Sequence, residues 1–344
     1  RSEAHVQHHL MGGNASSKDV KEEKFNNTVK MILLGGGESG KTTWIKQMTL
    51  FHKNGFTEED RQMYRRLIAK NMIFSSKQVL NLMNEIPEEI NQAREFILAQ
   101  TLPTAFMEGV DLTAEVCQHV KSLAKNPLFR ETSSKTALVV DNFLFFADKI
   151  ESFMNTLPTN DDILKVRVKT QNQTEFSCVS KKTRYTFFDV AGQRQARATW
   201  GGKLQEVQAM IFFASVVEFD QVLTEDGKTN RMKDSIQLFS ELVNSKMTAK
   251  IPIIICLNKM DLLAQKLQKV NFKDYQPGFT GENNSEEVSN FVMSLYQKAN
   301  TVSEKIRPVK IFKTTATDSN LIKGISEQVF KFAVEKAMKQ SGFM

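Results

Sequence analysis

The sequence predicts an α/β protein, a doubly wound and mostly parallel sheet interrupted by an inserted all-helical domain. Three observations carry that prediction. Short apolar runs of strand length alternate with helical stretches towards both ends of the chain. A glycine-rich loop follows the first of those runs directly. Between Phe56 and Asp162 the pattern is helical throughout.

Residues 1–10 begin with Arg1 and hold three of the five histidines, His5, His8 and His9, so they are set aside as an extraneous leader, not as a metal site. A short N-terminal helix is expected over 11–27. A start at Met11 gives Met-Gly-Gly-Asn-Ala-Ser, which fits the N-myristoylation pattern with Gly12 as acceptor; an unmodified small-residue start is equally open. Val29 to Leu34, VKMILL, has the length of a buried strand and feeds into Gly35–Thr43, GGGESGKTT. The stretch from Thr42, TTWIKQMTLF, then reads as a helix. This first part of the sheet domain is assigned to 28–55.

The insert is assigned to 56–163. Glu58 to Asn84 lacks Gly and Pro and spaces Ile68, Met72, Val79 and Met83 at helical intervals, and Ala137 to Met154 reads as a second long helical stretch. Met63, Phe74, Phe143, Phe145 and Phe146 could suggest a ligand groove, but core packing explains such stripes better, and all five are assigned to the interior. The second part of the sheet domain, 164–344, supplies strands at Thr174 to Val179, Tyr185 to Phe188, Met210 to Val216, Ile251 to Leu257 and Val309 to Phe312. The turn residues Ser180-Lys181-Lys182 make the first two a hairpin.

Composition narrows the function classes. With 41% hydrophobic and 25% charged residues and no apolar run of membrane-spanning length, the chain reads as a soluble cytosolic protein. Cys117, Cys178 and Cys256 are isolated, which favours reduced, buried thiols over disulfides or zinc ligation. The net charge of +7 is spread among acids, so a solvated lysine-rich surface is preferred and no nucleic-acid partner is expected.

Three motifs carry chemistry. GGGESGKTT matches the phosphate-loop pattern, whose glycines let backbone N–H groups wrap phosphate oxygens while the lysine reaches the outer phosphates. Asp189-Val190-Ala191-Gly192-Gln193 follows a predicted strand. Its acid can support Mg²⁺ through water, the Gly192 amide can meet a terminal phosphate, and Gln193 can orient an attacking water. Asn258-Lys259-Met260-Asp261 also closes a strand, and its carboxylate offers two acceptors to the N–H donors of a guanine edge, a donor pair that adenine lacks. Each motif alone could be an ordinary turn. In one chain, with Thr315-Ala316-Thr317 after the last strand, they point to a guanine nucleotide.

GGGESGKTT, RVKT (Arg167 to Thr170), DVAGQR, NRM (Asn230 to Met232), NKMD and TTATD occur in the order found in the alpha subunits of heterotrimeric G proteins, and the chain resembles that family from Met11 to Met344. The long insert before RVKT separates it from small Ras-like GTPases. The resemblance implies a Ras-like P-loop GTPase domain with an inserted helical domain, binding GTP/GDP with Mg²⁺. It implies that Gly35, Gly37, Glu38, Ser39, Gly40, Lys41, Thr42 and Thr43 hold phosphates, that Thr42 and Thr170 ligate Mg²⁺, and that Asp189 supports it. It implies catalytic roles for Arg167 and Gln193, base recognition by Asn258, Lys259, Asp261 and Ala316, and a ribose side lined by Asp141, Asn142, Leu164 and Lys165. Glu38 would pair with Arg167 in the diphosphate state. Arg197 and Asp234 match a pair that, in the family, ties the second switch to the helix behind it when GTP is bound; an inconsequential surface ion pair is the competing reading.

Implied partners are a G protein beta-gamma dimer, a G protein-coupled receptor, regulators of G protein signalling and a downstream effector, at the cytoplasmic face of the plasma membrane. The chain departs from the family pattern at Ala191, Lys165, Gln171-Asn172, Ala196, Gly201-Gly202 and Ser341, and in its short segment before the first strand. Those at Ala196, Gly201-Gly202 and Gln171-Asn172 fall on the surfaces for beta-gamma, effector and regulators. With Ser341 in place of the cysteine, pertussis toxin should find no target. Two rivals stand beside the switch. A nucleotide-holding scaffold without turnover would need neither Arg167 nor Gln193, and an unrelated P-loop ATPase or kinase would not prefer GTP. The insert is expected to act as a lid that slows nucleotide release.

Overall fold

The computed structural model describes residues 27–104, 107–134, 142–168, 173–192, 194, 197, 200–303 and 305–340. Gly12, Asp141, Thr170 and Gln193 therefore lie outside the described residues, as does Ser341. Contacts divide the chain into a helical unit within Gly55–Lys169 and a sheet unit within Ser16–Asn54 and Thr170–Met344.

The sheet unit has six strands: β1 (Asn27–Gly35), β2 (Thr174–Ser180), β3 (Thr183–Asp189), β4 (Ala209–Ser215), β5 (Ile253–Asn258) and β6 (Val309–Lys313), in the order β2-β3-β1-β4-β5-β6. β1 runs parallel to β3 and β4, and β4, β5 and β6 continue in parallel, whereas β2 and β3 form an antiparallel hairpin. Lys181 and Lys182 turn that hairpin with φ of 48° and 62°, the left-handed geometry that matches strand twist in two-residue turns. Every residue of β4 and β5 is buried, as expected of parallel strands covered on both faces.

Helices α1 (Lys41–His52), α8 (Gly201–Leu204), α9 (Arg231–Val243), α10 (Met260–Leu267), α11 (Ser285–Ala299) and α12 (Ser319–Gln340) belong to this unit. On one face Ile32, Leu34, Phe212, Ile255 and Leu257 pack with Leu238 and Phe239 of α9 and Val288, Val292 and Tyr296 of α11. On the other face Trp44 of α1 meets Phe213 edge-on, and Phe330 of α12 stacks on Tyr185 with ring centroids 4.0 Å apart.

The helical unit contains α2 (Glu58–Leu82), α3 (Asn91–Ala99), α4 (Ala114–Lys125), α5 (Pro127–Ser134), α6 (Phe143–Lys149) and α7 (Asn160–Lys165). α2 starts at a capping box in which Thr57 and Asp60 satisfy each other's backbone N–H groups. Ile68, Met72 and Val79 of α2 pack with Val120 and Leu123 of α4 and with Phe129, Phe143, Phe146 and Phe153. Two expectations are corrected. Phe74 is 39% exposed, because helical spacing alone leaves its face of α2 outside the packed stripe. The stretch expected from Ala137 to Met154 is, in its described part, α6 followed by a 3₁₀ turn at Ile150–Met154, a tightening that buries Ile150 and Phe153. Cys117, Cys178 and Cys256 are free and buried, as expected.

Candidate functional site

At the carboxyl end of β1 the chain takes left-handed turns at Gly35 (φ 131°), Glu38 (φ 64°) and Gly40 (φ 114°) before entering α1. A Cβ on Gly40 would come within 2.1 Å of the Asn258 Nδ2, and one on Gly35 within 2.2 Å of the Phe213 carbonyl oxygen. The loop is thus drawn against the ends of β4 and β5, with the N-terminus of α1 behind it, which is a ready anion cradle. Ser39 Oγ donates to the Gly36 carbonyl at 2.9 Å and steadies the turn. Thr43 follows on the first turn of α1 and is half-buried.

Lys41 lies buried in this cradle, its ammonium donating to the carbonyls of Gly36 at 2.6 Å and Gly35 at 3.0 Å. Burial draws its pKa from 10.5 down to about 8, and the nearby Asp189 carboxylate opposes that shift. Thr42 Oγ1 donates to Asp189 Oδ2 at 3.0 Å, joining the start of α1 to the last residue of β3. A hydroxyl beside a buried carboxylate is a hard-oxygen donor set that suits Mg²⁺, which takes few protein ligands and completes its shell with water and phosphate. The residues present fit the ion.

After Asp189 the backbone passes tightly beneath the phosphate loop. A Cβ on Gly192 would meet the Gly35 carbonyl oxygen at 2.4 Å and Gly36 at 2.6 Å, so only glycine fits without displacement. The neighbouring Ala191 is buried and its carbonyl accepts from Trp200 Nε1 at 3.2 Å. Arg197 contacts the Gly192 carbonyl at 3.4 Å and pairs with Asp234 of α9 at 2.5 Å, while Arg194 reaches both Asp234 and Asp226 at 2.9 Å. Asp234 is only 8% exposed, so this is not the inconsequential surface pair; its carboxylate is held below the usual range by hydrogen bonds from Arg197 and Arg194, against an opposing desolvation that is the largest single influence.

At the ends of β5 and β6, Asn258 acts as a bridge. Its Nδ2 donates to the Ser39 carbonyl at 2.8 Å, and its Oδ1 accepts from the Ala316 amide at 2.9 Å and from Thr314 Oγ1 at 3.2 Å. Lys259 turns the chain at φ 69°, leaving Asp261 exposed in the first turn of α10. Gln47 of α1, wholly buried, donates to the Ala316 carbonyl at 2.9 Å and accepts from Ser319 at 3.0 Å. The structure therefore brings Ser39, Gly40, Asn258 and Ala316 together.

In the helical unit, Leu164 is buried and Lys165 lies with its ammonium 5.1 Å from the centre of the Phe145 ring. Asn142 donates to the Lys165 carbonyl at 3.0 Å, and Asn71 of α2 donates to the Arg167 carbonyl at 2.9 Å. These bonds fix the backbone on either side of Val166.

Some functional-site residues escaped the sequence reading. Arg231 donates to the Gly37 carbonyl at 2.8 Å, to Glu218 at 2.8 Å and to Glu38 at 3.4 Å. Its place in NRM gives no sign of its reach to the phosphate loop. Gln47, Glu218 and Asn71 carried no signal: each is an ordinary polar residue until the fold supplies its partner.

Fold and loop together define a P-loop nucleotide-binding protein of the doubly wound class. The family model described as G-protein alpha subunit matches residues 13–333. The chain is 31% identical over 337 residues to the guanine nucleotide-binding protein alpha-16 subunit of Caenorhabditis elegans, covering 94% of this chain and 93% of that one. It is 32% identical to the alpha-7 subunit of the same organism, covering 96% and 99%, and 30% identical to a guanine nucleotide-binding protein subunit alpha of Emericella nidulans, covering 94% of each. The chain belongs to the G-protein alpha subunit family. It is a GTPase and a guanine nucleotide-binding signalling switch, with Mg²⁺ the usual partner ion; beta-gamma, receptor and effector partners go with the family in general. No helix among the described residues is long and apolar enough to cross a membrane.

Proposed function

We propose that this switch works through the residues singled out in the sequence. The observation that carries the reading is the 3.0 Å bond between Thr42 and Asp189, which joins a hydroxyl to a carboxylate whose charge acts on the buried Lys41 ammonium. Lys41 and the amides from Gly35 to Thr43 bind the phosphates. Thr42 and Thr170 would hold Mg²⁺, with Asp189 behind it, and the ion when bound would offset negative charge on the phosphates. Gln193 orients the attacking water and takes up its position from Gly192, whose amide meets the terminal phosphate. Arg167 stabilises the charge that develops on the transferring group. Asn258, Lys259, Asp261 and Ala316 read the base, while Asp141, Asn142, Leu164 and Lys165 serve the ribose side. The domain division into 28–55, 56–163 and 164–344 follows the same assignment.

Switching follows from the chemistry. Loss of the terminal phosphate removes the contacts of Thr170 and Gly192, and the pairing of Arg197 and Arg194 with Asp234 gives the second switch a defined docked state to leave. The partners that read the two states are a receptor, an effector, regulators of hydrolysis and a beta-gamma dimer at the cytoplasmic membrane face, with Gly12 as the acceptor of a myristoyl chain. Gln193→Leu tests the core of the reading. It should bind GTP normally and lose most single-turnover hydrolysis; a normal rate would return the chain to a different mechanism.

A further inference from the structure

The base-reading helix α10 is tied to the phosphate loop by a route that does not pass through the nucleotide. α10 begins immediately after Asn258 and Lys259, and its last turn carries Lys266. The Lys266 ammonium donates to the Val217 carbonyl at 2.7 Å, pairs with Asp220 and lies 5.1 Å from the centre of the Phe219 ring. All three partners sit on the short turn that follows β4. That turn is itself braced: Gln221 N–H donates to the Glu218 carbonyl, Asn230 Nδ2 donates to the Phe219 carbonyl at 2.7 Å, and the Phe219 ring packs edge-on against Phe272.

Between the residues held by Lys266 lies Glu218. It is buried, and its carboxylate accepts from Arg231 at 2.8 Å. Burial pushes Glu218 towards the protonated form, and Arg231 opposes that. The same guanidinium donates to Gly37 and meets Glu38 in the phosphate loop. The links run from α10 through Lys266, the 217–220 turn, Glu218 and Arg231 to Gly37, and the three charged side chains among them, Lys266, Glu218 and Arg231, each have partners in this chain. A chain of this kind transmits a displacement because its members are buried or half-buried and cannot exchange their partners for water at no cost.

We propose that Lys266 is a positioning residue, and that it couples the seating of α10 on the base to the set of the phosphate loop through the 217–220 turn. The partners of Lys266 are Val217, Phe219 and Asp220, none of them among the residues assigned to the nucleotide. The part of Lys266 is to hold the turn from which Glu218 aims Arg231 at Gly37. Loosening it lets the phosphate loop relax while the base remains held, so diphosphate escapes faster.

The proposal rests on the assignment of Asn258 to Asp261 as the base-reading motif, and the experiment keeps the two separable. The full chain is loaded with a fluorescent GDP analogue, and its release is timed for the parent, Lys266→Met, Lys266→Arg, Glu218→Gln and the double variant Lys266→Met with Glu218→Gln. Lys266→Met keeps the apolar stem and loses the charge; release should quicken about tenfold, the size of a typical coupling within one network. Lys266→Arg should return the rate to within about twofold of the parent. The double variant should release no faster than the faster single one, since both cut the same chain. Unchanged release in Lys266→Met, no recovery with arginine, or rates that multiply in the double variant would each overturn the proposal. Competition of ATP against labelled GTP runs alongside. If ATP displaces GTP equally well the base-reading assignment itself fails, whereas a retained GTP preference with unaltered release defeats the coupling alone.

Discussion

Lys41 shows how one residue can be prepared for its ligand at a cost to the empty protein. Its pKa near 8, against 10.5 in an unfolded chain, means that the folded protein binds fewer protons than the unfolded one between those values. Stability of the nucleotide-free protein therefore rises as pH climbs from about 8 to 10.5, and below 8 it carries a constant cost on the order of 3 kcal/mol. Lys46, drawn to about 7 by burial, adds a rise of its own from lower pH. A phosphate brought against Lys41 favours the ammonium and raises its pKa, so binding takes up a proton above pH 8. GDP affinity should be level up to about pH 8 and fall steadily above it. A dissociation constant measured from pH 7 to 10 checks this, and a flat profile would show that the ammonium is not facing phosphate.

At the scale of elements, the strand, loop and helix of β1 and α1 work only if the backbone can come close to β5. Gly40 carries φ 114° and sits where a Cβ would lie 2.1 Å from the Asn258 Nδ2. Gly40→Ala should expel Asn258 from its bonds to Ser39 and Ala316, abolishing measurable nucleotide binding while circular dichroism at low temperature still shows a folded chain. Tight binding by that variant would mean that the Asn258 bridge is dispensable. This motif was fully legible in the sequence, because glycine spacing and the flanking apolar run are local. The β2–β3 hairpin was legible for the same reason, since its turn residues are local, whereas the order of the parallel strands was not. Apart from the Arg197–Asp234 pair, which the family resemblance supplied, bonds spanning the fold could not be read: Arg231 to Gly37, Asn258 to Ser39, Asn71 to Arg167 each join residues far apart in sequence, and nothing in either residue names the other. Phe74 failed differently. Helical periodicity identified the apolar residues of α2 but not the width of the face that its neighbours cover.

For the whole molecule, the two units differ in how they obtain stability. The sheet unit draws its strands from both sides of the insert, so β1 can pair with β3 and β4 only across the whole length of the insert. The helical unit is contiguous. Its cluster, from Tyr64 through Phe153 to Val166, is made of its own residues, and it is closed at both ends by capping boxes, Thr57 with Asp60 and Thr159 with Asp162. Asp162 is further held by Lys149 at 2.5 Å, which fixes α7 to α6. A contiguous, domain-sized segment with an internal core and short-range helical contacts has what independent folding requires. The excised segment Gly55–Lys169 should give a strongly helical circular dichroism spectrum and a single cooperative melt, and Asp162→Ala in it should lower the midpoint by removing the cap and its Lys149 partner together. A fragment that loses its helical signal gradually on heating, with no transition, would show that the insert depends on the sheet unit for its fold.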